Sequence, residues 1–99
     1  MAAVSITNGG LKTGPDAADN YLTFSPNFQL NSQGVMEVLV QVVTATVGIK
    51  FSVSKIGGAI NSDAYAAPAG YKQVFTFDPR IQELHYQCGV GTDAFNISQ

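Results

Sequence analysis

The stretch that decides the fold is Met36–Val53, "MEVLVQVVTATVGIKFSV". It places one glutamate and one lysine among Val, Leu, Ile and Phe. Glu37 and Gln41 interrupt its first half, so it falls short of the ~18 consecutive apolar residues of a membrane helix. Its apolar residues recur with a period of two, which is the period of a strand. In 35–43, Met36, Val38, Val40 and Val42 share one face. Val35, Glu37, Leu39, Gln41 and Val43 share the other, which is half apolar. In 46–55, Val47, Ile49, Phe51 and Val53 oppose Thr46, Gly48, Lys50, Ser52 and Ser54. "TAT" at 44–46 joins the two runs, as a hairpin or as a bend in one long strand. Val38, Val40, Ile49 and Phe51 are expected to pack against an opposing sheet. Val35, Leu39 and Val43 do not fit that core, and a lone subunit leaves them half exposed.

Outward from this pair the pattern repeats in short pieces. "AAVSIT" at 2–7 reads as a strand, and "NGG" at 8–10 as a turn. Residues 9–20 read as a loop rich in Gly, Asp, Asn and Ala. "YLTFSPNFQL" at 21–30 reads as an edge strand, or two short strands bent at Pro26, because proline cannot donate to a ladder. Residues 57–71 read as a second long loop, with Asn61 or Ser62 able to cap a short helical turn. "KQVFTFD" at 72–78, "IQELHYQC" at 81–88 and "AFNIS" at 94–98 complete the strands. About seven short strands with turn signals about every 8–12 residues predict a single all-β domain over 1–99, an antiparallel sandwich or small barrel.

Composition narrows the function. Charged residues are 12% of the 99-residue chain, about half the usual ~25%, and the formal net charge is −2. Five Lys and Arg make no basic stripe, which argues against nucleic acid and anionic membranes. The N-terminal "MAAVSITNGG" lacks the basic and apolar regions of a signal peptide. One cysteine, Cys88, allows no intramolecular disulfide and no cysteine-based zinc site. It falls on the apolar face with Leu84 and Tyr86 and reads as a small core residue.

Asp78, Arg80, Glu83 and His85 form the densest cluster of reactive types. Glu83 and His85 share a strand face at i, i+2, but one histidine without a partnered nucleophile is a poor catalytic set, and an exposed strand face with charges beside a proline turn is the expected reading. Asp16, Asp19 and Asn20, with Asp63 or Asp93, offer calcium-type oxygens at spacings that match no defined loop. Four Tyr and six Phe can stack sugars, although Trp is absent, and core packing also accounts for them. No cofactor site and no catalytic residue is expected.

A weakly charged surface with apolar strand faces implies that copies of the chain, or a scaffold, cover it. The order "YLTFSPNFQLNSQG", "TVGIKFSVS", "AYAAPAGY", "VFTFDPR" and "LHYQCGVGTDAFNIS" resembles small β-sandwich virion proteins of tailed bacteriophages, among them head decoration (cement) proteins. That resemblance implies a non-enzymatic virion structural protein, assembled in the host cytoplasm. It also implies a homotrimer or lattice position that binds the major capsid protein and braces the assembled shell. The expected partner contacts are Val35, Leu39 and Val43 on the strand face, Leu11 in the first loop, and Tyr65 and Tyr71 in the second. The alternative is a fibre, tail-tip or carbohydrate-binding module that uses the same loops on a receptor glycan.

Overall fold

The computed structural model describes residues 2–13, 19–89 and 93–99. Among these the chain is all β. Its strands are β1 (Ala2–Ile6), β2 (Leu11–Thr13), β3 (Asn20–Phe24), β4 (Met36–Thr44), β5 (Ile49–Lys55), β6 (Ala66–Ala67), β7 (Lys72–Phe77), β8 (Gln82–Cys88) and β9 (Ala94–Ser98). They form a five-stranded sheet, β1-β3-β8-β5-β6, and a four-stranded sheet, β2-β9-β4-β7. The two sheets enclose one core, so the fold is a sandwich. No helix among the described residues is long and apolar enough to cross a membrane.

The alternation in Met36–Val53 places the core as expected. Met36, Val38, Val40 and Val42 are buried on β4, and Ile49 and Phe51 on β5. The joint between them is neither a hairpin nor a bent strand. β4 lies between β7 and β9, so both its hydrogen-bonding edges are already occupied. β5 lies between β8 and β6 in the other sheet. The chain therefore crosses the sandwich between Thr44 and Ile49. The crossing is held by Asp93, which is fully buried and accepts hydrogen bonds from the backbone N–H groups of Thr46 (2.9 Å) and Gly89 (3.1 Å). Gly48 makes the turn at φ +100°, where an added Cβ would stand 2.8 Å from the Ala66 backbone, so only glycine fits.

Most connections cross in the same way, and three expectations change as a result. The expected loop at 9–20 contains β2, which pairs with β9 in the opposite sheet; residues 14–18, Asp16 among them, lie outside the described residues. Passage through the far sheet lets β1 and β3 lie side by side in parallel, Ala2 opposite Asn20, in an otherwise antiparallel fold. The expected loop at 57–71 carries β6, and its helical turn is a tight turn instead. There Asn61 Oδ1 accepts from the Asp63 N–H at 3.0 Å, and the Asn61 carbonyl accepts from the Ala64 N–H at 3.0 Å.

Candidate functional site

The side chains of Glu83 and His85 share the outer face of β8, where Ser54 and Ser52 of β5 are their register partners. That face is partly covered. His85 is fully buried. The segment after β5 folds back over it. Ser52 Oγ accepts from the Asn61 N–H (3.0 Å), Ser54 Oγ donates to the Ala59 carbonyl (2.7 Å), and Lys50 Nζ donates to the Ser62 carbonyl (2.9 Å). The partner loop expected at 57–71 is thus tied, over 59–62, to its own sheet.

Beneath it, His85 lies between two carboxylates. Nδ1 is 2.8 Å from Asp19 Oδ1, and Nε2 is 2.8 Å from Glu83 Oε2. Asp19 Oδ2 accepts from the Ile60 N–H at 3.1 Å, which joins the start of β3 to the covering segment. A carboxylate oxygen accepts and does not donate, so both ring contacts require two N–H hydrogens, or one hydrogen on a carboxylate. In either arrangement the three groups together carry one negative charge. The Tyr21 ring stands 6.0 Å from the imidazole, centroid to centroid.

No family model matches this chain, and no curated protein and no solved structure is significantly similar to it.

The other expected chemistry separates. Asp78 and Arg80 pair with each other, Arg80 Nε to Asp78 Oδ1 at 3.0 Å and Nη2 to Oδ2 at 2.9 Å, away from His85. The Arg80 hydrogen bonds hold the Asp78 carboxyl below its usual range and raise the guanidinium. The calcium-type oxygens do not gather: Asp19 binds His85 and Ile60, Asn20 is buried in β3, Asp63 lies exposed in the turn that Asn61 caps, and Asp93 staples the crossover. No cluster of three His, Cys, Asp or Glu among the described residues is arranged to hold a metal. Cys88 is buried in the core.

The expected contact residues fall in four places. Leu39 is half-buried and Val43 half-exposed on the outer side of β4, with Val43 at a bulge between Val42 and Thr44. Val35 precedes β4 and is half-buried, its backbone bonded to Asn31. Leu11 is in β2, opposite Asn96. Tyr65 is 63% exposed and leans on Tyr71, ring centroids 5.3 Å apart, while the Tyr71 hydroxyl donates to Gln73 Oε1 at 2.8 Å. Sequence reading missed Val74 of β7. It is 57% exposed and stands directly opposite Leu39, and only the β4–β7 register reveals it.

Proposed function

We propose that this chain is a non-enzymatic structural subunit that acts by contact, as a head decoration (cement) protein that binds an assembled capsid shell and stabilises it. Its partners on this reading are further copies of itself, as a trimer or at a lattice position, and the major capsid protein of the virion. The observation that supports it is the outer face of the four-stranded sheet. Leu39 and Val74 are register partners there and Val43 lies further along β4, with no covering segment among the described residues, on a sheet that ends in the edge strand β7. A part-apolar sheet face beside an edge strand invites association. The one histidine is an unsuitable catalytic base, because it is fully buried with both ring nitrogens against carboxylates. A subunit that binds only the assembled shell stabilises it by mass action, and many weak contacts sum over the lattice.

Co-sedimentation of the purified chain with mature shells of the virus that encodes it tests this reading. Binding that saturates at a fixed number of copies per capsid subunit, and that is lost in Leu39→Lys, is the expected result. A chain that stays monomeric and ignores shells refutes it. The exposed Tyr65–Tyr71 pair favours a second reading, a receptor-glycan module, since a sugar ring can stack on the open face of Tyr65. A glycan array decides it: binding that Tyr65→Ala abolishes supports the module, and silence across the array removes it.

A further inference from the structure

β3 and β8 pair only at Asn20–Tyr86 and Tyr21–His85. Beyond Tyr21 they part. β3 continues beside β1 to Phe24, while β8 stays with β5 down to Gln82. Phe24 leans across the sandwich to Phe77 of the other sheet, 5.8 Å between ring centroids, and packs edge-on against Phe28 at 4.8 Å. The parting leaves a cleft of about 320 Å³. Its floor is apolar and comes from Leu22, Phe24, Met36 and Phe77, and Glu83 stands in its wall.

We propose that this cleft takes the basic side chain of a partner polypeptide, an arginine or a lysine. The aliphatic stem lies on the apolar floor and the cationic head meets the Glu83 carboxylate. Three observations combine. The Asp19–His85–Glu83 set carries one net negative charge in its hydrogen-bonded form. Asp19 has both oxygens engaged and Glu83 Oε2 holds His85, so Glu83 Oε1 is the carboxylate oxygen of the set that accepts no hydrogen bond from the described residues. The Glu83 side chain is only 12% exposed, so its carboxylate is largely withdrawn from bulk water, and a cation in the cleft gains by meeting it. A purely apolar occupant leaves the charge unmatched, and an anion is repelled by it. Lysine and arginine have the required shape, an apolar stem that packs while the head seeks polar partners. The volume lies at the small end of the ~300–1,000 Å³ typical of small-ligand sites, enough for one long side chain and little more.

This inference rests on the assembly reading only in making the occupant part of a polypeptide. It is measured on the isolated chain and not on shells, so either can fail alone. Amide chemical shifts of the full chain are followed by NMR while N-acetyl-arginine amide, its neutral isostere N-acetyl-citrulline amide, and n-butylguanidinium are titrated in turn. The arginine amide is expected to saturate with shifts centred on Leu22–Phe24 and Gln82–Glu83, and the citrulline amide to bind at least about tenfold more weakly. Glu83→Gln should weaken the arginine amide about tenfold. Ile56→Ala, which trims the exposed lip and leaves the His85 cluster intact, should weaken it about two- to threefold. Equal binding of the arginine and citrulline amides, or shifts centred elsewhere, overturns the proposal. Binding of butylguanidinium without binding of the blocked amino acid overturns it too, because the occupant is then a free organic cation.

Discussion

The outer faces of the two sheets begin alike and end differently. Each is a row of alternate residues on paired strands: Lys50, Ser52, Ser54, Glu83 and His85 on β5 and β8, and Glu37, Leu39, Gln41 and Val43 on β4 with Lys72, Val74 and Thr76 on the edge strand β7. The first is polar, and the chain covers it with its own segment 59–62 through hydrogen bonds. The second is part apolar and stays bare. The pairing is the reverse of simple expectation, since burial by this chain falls on the polar face. A polar face offers donors and acceptors that a loop backbone can satisfy, whereas an apolar face offers the loop's N–H and C=O groups nothing. The part-apolar face is therefore the one that this chain's own loop does not cover among the described residues.

Four experiments break or sharpen that contrast. His85→Ala should have the largest effect. It leaves two carboxylates facing each other beneath the covering segment, and it should cost about 3 kcal/mol in chemical denaturation. A loss under about 0.5 kcal/mol would show that the covered face contributes nothing to stability. Ser52→Ala removes one acceptor from the cover and should cost about 1 kcal/mol. Its sharper signature is faster hydrogen exchange at the Asn61 amide, with the β5 and β8 core amides unchanged. Leu39→Lys and Val74→Lys, on the bare face, should each change stability by no more than about 0.5–1 kcal/mol while reducing association by light scattering. Failure of either variant to fold would mean that the bare face belongs to the core.

The exposed Asp78–Arg80 pair gives the smallest effect. Its folded aspartate titrates below the usual range because Arg80 hydrogen-bonds it. The contribution is thus complete above the unfolded aspartate's range and is lost as the pH falls through the depressed folded value. With Arg80 three-quarters exposed, solvent screens the pair strongly. Asp78→Asn should lower melting at neutral pH only slightly and make its acid dependence slightly shallower.

Much of the core was legible because strand burial follows a period of two whatever the topology. Val38, Val40, Ile49, Phe51, Leu84, Tyr86 and Cys88 all face inward as their alternation requires. The bend at Pro26 and the strands at 72–77, 82–88 and 94–98 also lie where local chemistry places them, although β3 before that bend lies between β1 and β8 and is not the edge strand that Pro26 suggested. The joint at 44–48 was not legible. Whether β4 and β5 pair with each other depends on β7, β8 and β9, which come later in the chain and occupy their edges. The His85 cluster was half legible: the i, i+2 pairing of Glu83 and His85 follows from the strand, but Asp19 arrives from 66 residues away.

The sequence by itself determined that this chain is one all-β domain with an acidic, weakly charged surface, and which side of each strand is apolar. Those properties depend on side-chain type and on a period shared by every strand. The tertiary structure alone decided which strands became neighbours, which outer face was covered, and where β3 and β8 part to open a cleft beside Glu83. Those outcomes depend on backbone edges being filled by distant partners, and no local pattern encodes which distant edge reaches them first.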